Sequence, residues 1–392
     1  MSSTMVQRVA LFSILCRLYG CFFIQNFRGK SLANAKVTWK APYTLYSFSW
    51  FVFYFALEIQ SYAHYENMVK NISDALSQTL LFVSYGVISV QIKVNLAVMF
   101  TKAVKILTFF RKSEAFEKST RFTPRTNSFW RSATQRWDIV RALVVFMAYA
   151  LYYTIGLWGS IDFLRSVPTR WSVPVIMLGA FSNVGFVLYE SACHLFLRSC
   201  TNVLVQYIRV QTELVKEAGK LTNFHLQSQS SLQIETLRLR MYKITKLKDL
   251  LNDIWAGPLI VQCACTLVID CVIVDAVFHD GIKRELWIIV VCSLYTSVCF
   301  IDLAFTGQTL TDEVHVLKNS ILMLPAFGAP DRYLQQLRYL YESVDPEEMC
   351  LRSGGFFALK KSLLVTVSKL QVFKQAKVPS KCRCFTPFVS GD

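Results

Sequence analysis

Residues 43–63 read YTLYSFSWFVFYFALEIQSYA, twenty-one positions in which Glu58 is the sole charge. A helix needs about 20 mainly apolar residues to cross ~30 Å of hydrocarbon, so this stretch predicts a membrane span and decides the fold class. Five further stretches meet the same requirement: 75–101, 139–159, 172–197, 258–278 and 286–307. A seventh would begin near residue 354, but it turns basic after the apolar run 363–367. Composition agrees, since 53% of the 392 residues are hydrophobic, only 17% are charged and the mean hydropathy is +0.36. Soluble domains carry about 25% charged residues. The expectation is an all-α, polytopic helical membrane protein with six clear spans and an incomplete seventh.

Charge sets the expected orientation. Residues 1–42 hold six Lys and Arg and no acid, 102–138 hold nine, 198–257 hold nine and 308–353 hold four. The alternate segments 64–74, 160–171 and 279–285 hold one, two and two. Basic segments stay in the cytoplasm, which places the amino terminus inside. The sequon Asn71-Ile72-Ser73 then falls in the first outer loop and is a glycosylation candidate. The net charge of +16 is read as basic inner loops and not as a nucleic-acid surface, because the basic residues sit between apolar runs. Residues 9–24 are apolar but interrupted by Arg17, and are read as an amphipathic or buried inner segment and not a cleaved signal. The twelve cysteines fall mostly in spans or basic loops, so no outer disulfide framework is expected.

Six regions follow: an amino-terminal segment 1–42, spans one to four over 43–197, an inner helical anchor 198–257, spans five and six over 258–307, linker helices 308–353, and a lead-in to a last helix with a basic tail over 354–392. Residues 199–217 and 232–251 repeat apolar side chains at helical spacing and predict inner extensions of spans four and five. A further inner helix is expected at 331–342, and Asp345-Pro346-Glu347-Glu348 reads as another helix start.

No hydrolase, zinc-protease, nucleotide or dinucleotide motif is present, so neither an enzyme nor a cofactor is expected. The five histidines are scattered and are read as structural or solvated. Charged and polar side chains inside spans say more, because they face a protein interior or a water-filled cavity. Glu58 lies near a membrane edge, where simple solvation suffices, and Lys93 can snorkel or pair. Glu190 and Asp270 are deeper. With Tyr85, Tyr149, Tyr153, Asn183 and Tyr295 they are the candidate lining of a small-molecule pocket in the outer halves of spans two to six. Interface anchoring by the aromatics and ordinary hydrogen bonding between helices fit the same residues. A G-protein-coupled receptor is disfavoured: Asp331-Arg332-Tyr333 lies in the last inner loop, no N-P-x-x-Y occurs in a span, and the charge pattern puts the amino terminus inside. A transporter would show two-half symmetry and broken helices, and neither is evident.

The stretch GGFFALKKSLL at 354–364 resembles the lead-in to the seventh helix of the arthropod gustatory receptor family, with Gly355, Phe356, Phe357, Leu359, Ser362, Leu363 and Leu364 at the matching positions. The segment before span one and the long inner extensions also look like that family. The resemblance implies a tetrameric, ligand-gated non-selective cation channel, a homomer or a heteromer with related subunits. It implies a small tastant bound among the outer halves of spans two to six, lipid contact, and residence in the plasma membrane of sensory neurons. The family's closing Thr-Tyr and Gln-Phe signature is absent, however. The run 363–367 covers about 7.5 Å at ~1.5 Å per residue, and tilt or snorkelling recovers only a few ångströms. Two explanations fit: a diverged six-span receptor with an inner tail, or a reading frame that runs into an intron at Val367-Ser368-Lys369, which can be encoded GTA-AGT-AAG. Either way the chain as written is expected to be pore-defective.

Overall fold

The computed structural model describes residues 3–27, 31–37, 42–70, 75–122, 140–141, 143–151, 154, 172–220, 227–279, 286–324 and 330–363. Their elements are almost all helical: α1 Thr4–Leu18, α2 Pro42–Lys70, α3 Ala75–Thr101, α4 Ala103–Thr120, α5 Ser172–Lys220, α6 Gln227–His279, α7 Leu286–Leu322 and α8 Asp331–Ser343. Residues 143–151, inside the expected third span, are helical as well. The tail after Leu363, including Leu364, lies outside the described residues. Among the described residues, helical segments within Phe82–Thr101, Leu232–Ile273 and Val290–Leu322 are long and apolar enough to cross a membrane.

The expected extensions of spans four and five are continuous with those spans. Helix α5 has 49 residues and α6 has 53, and both run well beyond ~30 Å at ~1.5 Å per residue. Helix α7 also overshoots its span, and α4 continues beyond α3 after the break at Lys102. These extensions pack together at one end of the bundle, called here the extended end. The 102–138 region, expected as a basic loop, therefore begins with a helix.

The two ends are built by different forces. At the extended end the largest fully buried side chains include Trp255, Tyr207, Phe109, Phe110, Phe116 and Phe196. Phe196 packs on Trp255 at 5.1 Å and edge-on to Phe110 at 5.6 Å between ring centroids. That is a water-driven core. Within the spans the pattern inverts: Ser84, Ser89, Gln91, Asn95, Ser191, Thr266 and Thr296 are buried, while Phe48, Phe55, Phe82, Phe146 and Met177 are exposed. Lipid is as apolar as a phenyl ring and gives no drive to bury one, so packing between spans rests on small and hydrogen-bonding side chains.

Acids on α4 anchor the amino-terminal segment. The Glu117 carboxylate accepts the Thr4 and Met5 backbone N–H groups at 2.7 and 3.1 Å, satisfying the start of α1, and also the Tyr207 hydroxyl at 2.5 Å. Glu114 accepts the Leu32 N–H at 3.0 Å and pairs with Lys118 at 2.6 Å. After α1 the chain turns at Gly20, whose φ of +73° is the left-handed region that suits glycine. Ile24–Gln25 then pairs antiparallel with Lys36–Val37.

Two expectations about the carboxy-terminal third are corrected. Asp345 does not start a helix: its side chain accepts the Glu347 N–H at 2.9 Å, and the segment makes a turn and no more. The glycines of GGFFALKKSLL also close a hairpin, with Arg352–Ser353 antiparallel to Phe357–Ala358 and positive φ at Gly354 and Gly355. Helix resumes only at 361–363. Phe356 is 79% exposed, Phe357 and Leu363 are half-buried against the core, and Leu359 is fully buried.

Leu359 seats the hairpin against α7. A Cβ on Gly307 would stand 2.5 Å from the Leu359 carbonyl oxygen, whereas a Cβ on Gly257 would meet nothing within 4 Å. Both glycines are helical, and alanine there gains up to ~1 kcal/mol in propensity. Gly257→Ala is therefore expected to hold or raise the thermal midpoint of the detergent-solubilised protein, and Gly307→Ala to lower it by the equivalent of about 1–3 kcal/mol. Glu114 supplies a pH prediction. Burial pushes its carboxyl up, but Lys118, the Leu32 N–H and Ser31 outweigh it and hold the group below the usual range. A depressed acid stabilises fully above its unfolded value of about 4.3 and loses that contribution as pH falls through the folded value. The protection factor of the Leu32 amide, corrected for the intrinsic exchange rate, is expected to fall on acidification below that point in the wild type, and not in Glu114→Gln.

Candidate functional site

Asp302 of α7 is a carboxylate with 1% exposure inside a membrane-spanning bundle. Three cations or hydrogen-bond donors surround it. Arg141 Nε lies 2.8 Å from Oδ1, and Arg198 Nε and His194 Nε2 lie 3.1 and 2.9 Å from Oδ2. His194 and Arg198 are one helical turn apart on α5, so a single face supplies both. Asp302 sits between two guanidinium groups, and the facing His194 Nε2 is the donor of that contact. The other ring nitrogen, Nδ1, is 3.0 Å from the Tyr149 hydroxyl, a hydrogen bond whose direction follows the protonation of the ring. The result is a relay, Tyr149 to His194 to Asp302 to two arginines, joining the 140–151 segment, α5 and α7.

Tyr149 continues the cluster away from the arginines. Its ring meets Tyr295 edge-on at 5.1 Å, with Ala148 and Cys299 packed alongside. Glu190, one turn from His194 on α5, is 1% exposed and lies within electrostatic reach of Tyr54, Cys265 and Tyr295. Asn95 of α3 donates at 2.9 Å to the backbone oxygens of both Tyr189 and Glu190, which fixes α3 against α5 at this level.

Of the expected pocket residues, Tyr149, Glu190 and Tyr295 come together. Tyr85 is half-buried on α3 and reaches Tyr54 electrostatically. Asn183 is half-buried two turns along α5 from Glu190. Asp270 goes elsewhere: its Oδ1 accepts Ser293 and Ser297 hydroxyls at 2.5 and 2.9 Å, both on the opposite face of α7 from Tyr295. Glu58 is not solvated at a membrane edge. It is 3% exposed, pairs with Lys93 at 3.1 Å and accepts the Ser89 hydroxyl. Tyr153 and Asn71 lie outside the described residues. Among the described residues no cluster of three metal-ligating side chains occurs.

Sequence reasoning reads His194 as scattered, counts Arg198 only among the basic residues of 198–257, and does not single out Arg141 within the third span. The signal was there: His194 and Arg198 at four-residue spacing close span four, and Asp302 closes span six at the same end of the bundle.

No protein-family profile matches the chain, and no curated protein matches it. Solved structures do. The insect olfactory receptor OR5 from Machilis hrabei superposes with a TM-score of 0.63, covering 95% of this chain and 98% of that one at 10% identity. The chain has the fold of an insect olfactory receptor. The OR5 complex with eugenol gives a TM-score of 0.64 over 94% of this chain and 96% of that one, again at 10% identity.

Removing one partner of a buried ion cluster strands the others and costs about 3–5 kcal/mol. Asp302→Asn is expected to lose most of that in detergent unfolding and to cut surface expression. Asp270→Asn, whose serine donors remain, is expected to lose about 1 kcal/mol. Equal losses at the two positions would remove the special role of the Asp302 network.

Proposed function

We propose that this chain is a chemoreceptor subunit of a ligand-gated, non-selective cation channel. It binds a small molecule at the cluster of Tyr149, Tyr295 and Glu190, with Tyr85 and Asn183 towards its rim. The observation that carries the reading is the joining of this aromatic and acidic cluster to the Asp302 relay, in a bundle with the OR5 fold. Two facing tyrosines give an amphipathic wall, and a buried acid gives a polar handle. A ligand that displaces Tyr149 alters the hydrogen bond to His194, and with it the contact between α5 and α7.

Taste is proposed over smell on the GGFFALKKSLL segment, which resembles gustatory receptors. The proposed setting is the plasma membrane of sensory neurons, with the amino terminus and the extended end in the cytoplasm, and subunits joined as a homo- or hetero-tetramer through that end. The tail after Val367 is proposed to fall short of a pore helix, so the chain as written assembles without conducting.

Whole-cell recording tests this with two versions of the chain: the natural sequence, and one whose last helix is restored by an apolar helix after Val367. The restored version is expected to pass tastant-evoked cation current that persists with a GDP analogue in the pipette, and the chain as written to pass none. Current that requires G-protein turnover would overturn the channel reading. An amino-terminal epitope reachable on intact cells would overturn the orientation.

A further inference from the structure

A groove of about 890 Å³ runs between α1 and the start of α2, lined in part by Ile14, Arg17, Leu18, Phe27, Tyr43 and Tyr46. It sits where α1 dips among the spans. The α1 tip, Tyr19, stacks on Phe181 of α5 at 4.6 Å and lies 5.9 Å from Trp50 of α2, and Gly185 makes room for its ring. Trp50 is eight residues into α2, about 12 Å along the helix, whereas Arg17 is held at Tyr43, where the first span is expected to begin. Two tyrosines pin this geometry: Tyr43 donates to the Arg17 carbonyl at 2.9 Å, and Tyr46 donates to the Leu18 carbonyl.

Arg17 is exposed, with its guanidinium 5.2 Å from the centre of the Tyr43 ring. Among the described residues no carboxylate pairs with it, and residues 1–42 contain six basic side chains and no acid. The surfaces on either side are apolar and outward-facing: Leu11, Ile14 and Leu18 on α1, Leu45 and Phe48 on α2. This surface runs into the lipid-facing side of the first span. An unpaired guanidinium between two apolar faces at a membrane interface is complementary to a phosphodiester carrying acyl chains. A soluble anion would leave those faces bare.

We propose that this groove is a binding site for an anionic glycerophospholipid, its phosphate on Arg17 and its acyl chains along Leu18 and Phe48. The choice of an anionic headgroup rests on the proposed cytoplasmic orientation of the extended end, because that leaflet is the anionic one. The site holds α1 against α2, so the lipid is a structural ligand of the amino-terminal segment.

Native mass spectrometry of the full detergent-purified chain tests it, with dioleoyl phosphatidylserine and dioleoyl phosphatidylcholine as probes. Wild type is expected to retain phosphatidylserine preferentially, also in excess inorganic phosphate. Arg17→Ala should lose about tenfold in that preference, and Arg17→Lys should keep part of it. No preference in wild type, an unchanged preference in Arg17→Ala, or displacement by phosphate alone would overturn the proposal. Should Arg17→Ala not fold, a photoactivatable phosphatidylserine on the wild type decides: label at 11–18 or 43–48 supports the site, and label confined elsewhere refutes it. Selective binding together with an outside amino-terminal tag would sink the orientation and leave the site standing.

Discussion

Holding the buried carboxylate of Asp302, where the spans meet the extended end, is the constraint around which the bundle is arranged. Taking a carboxylate out of water costs several kcal/mol even after relaxation, and charge at membrane depth is tolerated only when it is paired or wetted. Here Arg141, Arg198 and His194 converge on it from two other segments. No one helix can satisfy the acid, so the 140–151 segment, α5 and α7 must meet at this level and in this rotation. The rotation in turn places Tyr149 against Tyr295 and brings Glu190 one turn further along. The proposed ligand cluster is thus a geometric consequence of how a charge is held.

The same logic runs through the rest of the molecule with weaker partners. Glu58 is matched by Lys93, Asp270 by two serines, and the backbone beside Glu190 by Asn95. Between them the spans bury hydroxyls and amides and turn phenyl rings outward. Past the membrane the rule reverses, and Trp255, Phe196 and Phe110 form a core of the kind water drives. Glu114 and Glu117 of α4 hold the amino-terminal segment onto that core. One continuous pair of helices, α5 and α6, crosses both regimes.

Much of this was legible in the residues. Runs such as 75–101 predicted α3 to the residue, and apolar spacing at 199–217 and 232–251 foretold the extensions of α5 and α6. Long periodic segments carry their own signal, since their fate depends on the local solvent. Pairings between distant segments do not. Nothing local tells Glu58 that Lys93 will stand beside it, or sends Asp270 to the far face of α7 from Tyr295. His194 looked isolated because its partners lie on other helices. The glycines of GGFFALKKSLL were read for their family likeness, yet their positive φ and the seat of Leu359 on Gly307 make that stretch a hairpin first.

The central claim, a small-molecule site at Tyr149 and Tyr295, is tested most directly by ligand-induced thermal stabilisation of the purified full chain across a panel of small amphipathic compounds. The account predicts that a compound raising the unfolding midpoint of the wild type loses its effect in the Tyr149→Phe, Tyr295→Ala double variant and keeps it in Asp270→Asn. Stabilisation that survives the double variant and vanishes with Asp270→Asn would contradict it.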